Sequence, residues 1–400
     1  MNRPAIRSRN FLIYLIGNTI SLHGLWIYRV ALGWFAWQLT ESELWVGVVA
    51  FTQFAPAVVF GPVFGVLADR FDRRAASLLI NSVSVINMLL LALLTSLGSV
   101  DIVVLTLLSL MQGTLDGAHM PVRMSIVPNL VSREQLQSAI ATTSISFNVS
   151  RFVGPAIAGI IIATSGVATA FLINGISYFA LITSMIIVRL NPSAVRSETR
   201  NGVWTELGEG ARYVLQHSAI RALLMIIAIA SVFGRGALEM MPAFADAIYL
   251  RGSVGLAILT SAIGAGAVAT GLVLSHGTEW LNIKVIRAGV IAGGVLITAL
   301  GVTENFWSAV AIVALLGVIL SLCGVGSQIL IQTLVEDEVR GRVSSFWGMI
   351  AFGGTALGGL LVGWAAKTWG LQNAVVTTGL LCAAGAALFA VQTRRTPPQS

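Results

Sequence analysis

Charge is what this 400-residue chain most lacks: Lys, Arg, Asp and Glu together make up 10% of it, against 56% apolar residues. A soluble domain carries about 25% charged residues, so most of this chain does not face water. Cysteine is almost absent as well. Cys323 and Cys382 both fall inside apolar runs, which argues against a disulfide framework and reads as two small buried hydrophobes. Also missing are a phosphate-binding loop, a metal-ligand spacing and a nucleophile beside its base. No large soluble domain could house such chemistry. The chain is therefore not expected to be an enzyme, and no cofactor, metal or ATP use is expected of it.

The net charge of +7 invites nucleic acid as a partner, and its distribution rejects that. The basic residues sit in short loops between apolar runs, where they orient membrane proteins. A membrane span needs about 20 apolar residues to cross roughly 30 Å of hydrocarbon. Twelve such segments follow one another: 11–39, 44–68, 75–97, 101–122, 134–164, 168–190, 219–250, 252–275, 283–302, 305–332, 342–366 and 370–392. The first is preceded by Arg3, Arg7 and Arg9; it is too long for a signal-peptide core and lacks a small-residue cleavage site, so it reads as a helix.

The even count puts both termini on one side. Arg70, Arg73 and Arg74 follow the second segment, Arg123 and Arg133 flank the next loop on that side, and Arg340 and Arg342 precede the eleventh segment. The opposite loops carry Glu41, Glu43, Asp101 and Glu304, with Arg251 and Lys367 as exceptions. Both termini are thus expected in the cytoplasm of a bacterial inner membrane. Trp34, Trp37, Trp45, Trp307, Trp364 and Trp369 fall near the expected outer boundary, as an interfacial belt requires. Between Asn191 and Arg221 lies the one long polar stretch, with an amphipathic piece from Gly202 to His217 that reads as a linker helix on the membrane surface.

The halves repeat. Leu130, Val131, Glu134, Gly154, Gly159 and Gly166 recur 204 residues later as Leu334, Val335, Glu338, Gly358, Gly363 and Gly370. The expected fold is all-α: twelve transmembrane helices in two six-helix halves, 1–190 and 219–400, joined by the linker 191–218, around a central cavity.

Charges inside spans cost several kcal/mol and normally face a cavity or a partner. They occur at Arg29, Asp116, Arg151, Arg235, Glu239 and Asp246, and none lies in the core of the third, sixth, ninth or twelfth segments, which are therefore peripheral. Gln112, Asp116, His119 and Arg123 share one helix face by spacing, as do Arg235, Glu239, Pro242 and Asp246, and Asn18 with Arg29. Arg235 and Glu239 are four apart and can equally neutralise each other. His119 and His23 read as hydrogen-bonded helix histidines. Asp116 and Glu239 are the candidate proton carriers. Arg29, Arg151 and Arg235 are suited to an acidic or phenolic small molecule, with Trp26 and Phe147 as stacking surface, and Asn18, Gln112, Asn148 and Gln328 complete the candidate lining.

The run Gly65-Val-Leu-Ala-Asp69-Arg70-Phe-Asp-Arg73-Arg74, set after the second segment, resembles the loop signature of the major facilitator superfamily, with Asp72 where Gly is usual. The stretches Arg29 to Trp34, Asn148 to Pro155, Gly210 to Tyr213 and Leu334 to Arg342 are similar to the branch holding the enterobactin exporter and macrolide efflux proteins. Gly154-Pro155-Ala-Ile-Ala158-Gly159 resembles that superfamily's fifth-helix antiporter motif, which implies export in exchange for protons. Leu25 stands where the branch often has an acid, so coupling must use another residue. The resemblance gives Gly65, Asp69, Arg70, Arg73, Arg123, Gly154, Pro155 and Gly159 to a conformational switch. The expected partners are a small-molecule substrate, protons and the bilayer, and the expected working form is a monomer. Export of a siderophore-like acidic metabolite leads; a broad drug exporter is the alternative, and a nutrient importer comes third.

Overall fold

The computed structural model describes residues 5–190, 203–336 and 339–395, and every regular element among them is helical. In chain order these are α1 (Arg9–Thr40), α2 (Glu43–Arg70), α3 (Arg73–Ser96), α4 (Ile102–Ile126), α5 (Leu136–Ile187), α6 (Val203–Gln216), α7 (Ser218–Ile248), α8 (Gly252–Ser275), α9 (Ile283–Val302), α10 (Phe306–Leu334), α11 (Arg340–Trp369) and α12 (Leu371–Arg395). All but α6 include a stretch long and apolar enough to cross a membrane. Inside α5 the backbone of Gly166 adopts φ 80° and ψ 171°, so α5 is two helices meeting at a corner and the crossings number twelve. Only glycine takes this conformation without strain. Residues 191–202 of the linker and the repeat partner Glu338 lie outside the described residues.

Polar side chains at the connections start the helices. Asp72 accepts from the backbone N–H of Ala75 at 2.7 Å, Asp101 from Val104 at 2.8 Å and Asn305 from Ser308 at 3.0 Å. Each satisfies one of the orphan donors of a first turn. The departure of Asp72 from the usual glycine thus has a use: it caps α3. The signature itself is not a loop. α2 runs on to Arg70, so Gly65, Asp69 and Arg70 are helical and only Phe71 and Asp72 connect to α3. A helix of 28 residues outlasts the hydrocarbon and projects into water, where charged residues extend it freely.

Contacts gather the chain into two compact units, Met1–Phe35 with Pro56–Val203, and Ala36–Ala55 with Trp204–Ser400. In the first, α3 packs on α5 and α4. α3 exposes Leu79, Ile86, Leu90 and Leu93 and buries Ser77, Asn81, Ser84 and Asn87. That pattern suits lipid, where polar groups must find partners inside the protein. In the second unit, α9 packs on α12, α8 on α10, and the glycine-rich α11 on α7. The salt bridge from Arg342 to Glu209 (2.7 Å) ties α6 to the start of α11. Both cysteines are buried and free.

The expected tryptophan belt is corrected in part. Trp307, Trp364 and Trp369 are 61%, 52% and 53% exposed, whereas Trp34 and Trp37 are buried at 4% and 5%. Trp37 is used internally: its Nε1 donates to Asp246 Oδ2 at 2.9 Å.

Candidate functional site

In the first unit α1, α4 and α5 bring their functional side chains together. The sequence spacing of Trp26 and Arg29 puts them one turn apart on α1, and the Arg29 guanidinium lies 4.7 Å from the Trp26 ring centre. Arg151 of α5 reaches the same ring at 5.7 Å. Phe147, one turn earlier on α5, meets Trp26 edge-on at 6.0 Å and carries Arg123 of α4 at 5.6 Å. Gly154 makes this arrangement possible. A side chain there would place its Cβ 2.5 Å from Trp26 Cβ, so only glycine lets α5 approach α1 at this level. The indole N–H of Trp26 is buried and has no hydrogen-bond partner among the described residues. A donor left so is costly, and the orphan sits beside two guanidinium groups. The arrangement offers positive charge, a flat ring and a hydrogen-bond donor to an acidic or aromatic group.

Asp116 stands within Coulombic reach of Arg29 and Arg123, so Arg29 serves a carboxylate of the protein as well as its aromatic neighbour. On the face predicted on α4, Gln112 and Asp116 are bonded to each other. Gln112 is fully buried and divides its amide between Asp116 and other helices rather than lining open space. His119 Nε2 lies 3.2 Å from Asn81 Nδ2, and that amide also donates to the Ser77 carbonyl, so the imidazole accepts from α3. His23 Nδ1 lies 2.8 Å from the Thr19 carbonyl and 3.0 Å from the Ser150 hydroxyl. Both histidines are bonded helix residues. Asn18 is buried, and Asn148 donates to the Ser144 carbonyl of its own helix at 2.8 Å. Pro155 and Gly159 follow Gly154 in α5, half-buried and buried respectively. Arg73 opens α3 and is half-buried, and Arg74 donates to the Val188 carbonyl. The side chains of Asp69 and Arg70 lie outside the described residues.

In the second unit the predicted α7 face breaks up. α7 is an unbroken α-helix over Ser218–Ile229, followed by π-helical turns at Ala230–Arg235 and Phe244–Ile248 with short α-helical pieces between them. A π turn inserts an extra residue, so Asp246, eleven residues on from Arg235, falls out of line with it, while Glu239 stays near Arg235. Arg235 presses on Gly324 of α10 and lines a small apolar crevice with Cys323, Trp347, Ser231, Ile227 and Leu320. Glu239 lies within Coulombic reach of Arg235 and packs on Gly359 of α11. Asp246 turns to Trp37, and Pro242 is buried. Gln328 is exposed.

Ser84, Asn87 and Tyr178 converge on Gln112 and stand outside the expected site, because charge inside spans marks that site and these three are neutral. Ser77, Asn81, Ser84 and Asn87 recur at helical spacing, and that was the available signal.

Comparison with known proteins bears on what this scaffold does. The chain is 24% identical over 377 residues to the staphyloferrin A transporter of Staphylococcus aureus (strain NCTC 8325 / PS 47), covering 93% of this chain and 91% of that one. It is 25% identical over 362 residues to the enterobactin exporter EntS of Salmonella choleraesuis (strain SC-B67), covering 90% and 85%. To the multidrug efflux pump Tap of Mycolicibacterium fortuitum it is 24% identical over 359 residues, covering 88% of each. Among solved structures, a bacterial homologue of the human lysosomal transporter Spinster, inward-facing and unoccupied, matches with a TM-score of 0.77 at 14% identity over the whole of both chains. That likeness shows the fold. The family model described as transmembrane secretion effector matches residues 4–398. This chain is a multi-pass membrane transporter of the major facilitator superfamily and belongs to its transmembrane secretion effector family.

Proposed function

We propose that this transporter exports an acidic, siderophore-like small molecule in exchange for protons, by alternating access, from the cytoplasm across a bacterial inner membrane. The observation that carries the substrate class is Trp26, flanked by Arg29 and Arg151, with a buried indole N–H that lacks a partner among the described residues. An acidic aryl or carboxylate group supplies the acceptor that this donor lacks and meets positive charge on both sides of the ring. Asp116 and Glu239 carry the exchanged protons, as acids inside spans must face a partner or a pathway. Likeness to the staphyloferrin A transporter and the enterobactin exporter supports the same substrate class. The antiporter-like Gly154-Pro155 turn of α5 supports the direction. Both termini lie in the cytoplasm, and the protein works as a monomer.

Likeness to the multidrug pump Tap favours a second reading, broad drug export. Inverted vesicles holding an acid-inside gradient, reported by a quenched dye, separate the two. Catecholate and carboxylate siderophores should dequench the dye, and Asp116→Asn or Glu239→Gln should abolish the response. Dequenching by macrolides or cationic dyes alone would replace the first reading with the second. Silence towards every compound, with folded protein in the membrane, would remove proton-driven export.

A further inference from the structure

Gln112 was expected to line a cavity, yet it is fully buried and its amide is committed on every side. The hydrogen bonds around it have a fixed sense. Asn87 Nδ2 lies 3.1 Å from the Leu108 carbonyl, which can only accept. That end of Asn87 is therefore its NH₂, and its second proton goes to Gln112 Oε1 at 3.1 Å. With its oxygen so engaged, Gln112 must turn its NH₂ the other way. There Nε2 donates to Asp116 Oδ1 at 3.0 Å and to the Tyr178 hydroxyl at 2.8 Å, with Ser84 Oγ at 3.4 Å. The backbone of α4 thus orients Asn87 on α3, Asn87 orients Gln112, and Gln112 holds one oxygen of Asp116.

We propose that Gln112, set by Asn87, is a positioning residue that reserves Asp116 Oδ1 as a hydrogen-bond acceptor and leaves Oδ2 as the oxygen that gains and loses the transported proton. The inference rests on the reading of Asp116 as a proton carrier. Addition of a proton at Oδ2 makes a neutral carboxylic acid whose carbonyl is Oδ1, and the Gln112 bond survives because a carbonyl still accepts. The carboxyl group then changes charge without turning, so α3, α4 and the second half of α5 need not repack at each cycle. The other groups facing Asp116 are Arg29 and Tyr28 from α1, Tyr178 from α5 and Arg123 from its own helix, while α3 contributes only neutral Ser84 and Asn87. Gln112 bonds Asp116 directly through a neutral donor.

Two substitutions test it, Gln112→Met at the donor and Asn87→Leu one bond further back, with proton-coupled exchange in vesicles measured across pH. Loss of a donor to the charged carboxylate should move the pH profile upward by about one unit in Gln112→Met. Asn87→Leu frees the amide to flip, and it should move the profile in the same sense by less. Substrate affinity at the plateau should change by under about threefold in both, since neither residue touches substrate. An unmoved profile in Gln112→Met, beside lost exchange in Asp116→Asn, would overturn the positioning role alone. Full exchange in Asp116→Asn would overturn the proton-carrier reading instead. If neither variant folds, infrared difference spectra of the unaltered protein decide. The carboxylic acid band that appears on acidification and is missing in Asp116→Asn should sit where a hydrogen-bonded carbonyl absorbs, and a free-carbonyl position would refute the proposal.

Discussion

In the first unit Gly166 turns α5 at φ 80°; in the second, 204 residues on, Gly370 ends α11 at φ 85°. Gly154 meets α1 at Trp26 Cβ, and its repeat partner Gly358 meets α7 at the Val232 carbonyl. The two units share these joints and differ in what the joints carry. Around Gly154 stand an aromatic pair, three guanidinium groups and a carboxylate. Around Gly358 stand small residues, Ser231, Gly236 and Gly354, and the nearby guanidinium of Arg235 faces an apolar crevice. Corners and close crossings tolerate one residue type, so they persist through divergence; the side chains between them are free to specialise. The aromatic and guanidinium cluster stands at the joint of the first unit, and small residues at the matching joint of the second.

The comparison breaks most sharply at the glycines. In Gly358→Val the first added carbon would stand 2.0 Å from a backbone oxygen, and a carbonyl cannot rotate aside. Overpacking of this kind costs about 3 kcal/mol or more, so no folded protein should be recovered by fluorescence-detected size exclusion. Recovery of stable protein would show that the second unit is looser than its packing suggests. Next in size, Trp26→Ala and the pair Arg29→Ala with Arg151→Ala should each weaken substrate binding about tenfold, roughly 1.4 kcal/mol. Arg235→Gln should cost less by the same binding measurement, and an equal loss would spread the chemistry over both units.

Effects on stability rather than on binding sharpen the picture of the ends. Trp37→Phe deletes the indole donor to Asp246 and should lower the thermal midpoint through about 1.5–3 kcal/mol, as for a bond to a charged group. Asp72→Ala removes the cap of α3 and should cost about 1 kcal/mol in the same assay. Glu209→Gln breaks the partly exposed pair with Arg342 and should cost under about 1 kcal/mol, vanishing at high salt.

Much of this was legible beforehand. The segments 134–164 and 168–190 bracket the corner at Gly166, and the amphipathic piece from Gly202 to His217 became α6. Of the residues expected to form one surface, Trp26, Arg29, Phe147 and Arg151 meet in the first unit, while Arg235 packs on Gly324 in the second. The α7 face was not legible, because a spacing argument assumes 3.6 residues per turn and α7 contains two π-helical stretches. Nor was the use of Trp37, since an interfacial tryptophan and one bonded to a distant aspartate look alike in a string of letters. Gln112 was noticed and misread: its face on α4 was right, but what lay opposite that face was not visible.

Hydrophobicity, glycine placement and loop charge act locally, so the number of spans, their corners and the transporter family could be read from the order of residues. Which polar groups find each other depends on helices brought together from distant parts of the chain. Asn87 and Gln112 are 25 residues apart, Gln112 and Tyr178 are 66, and Trp37 and Asp246 are 209. In a lipid interior each such group must be paired or bear the full cost of desolvation. The tertiary packing therefore decided the partners, and with them which oxygen of Asp116 accepts from Gln112.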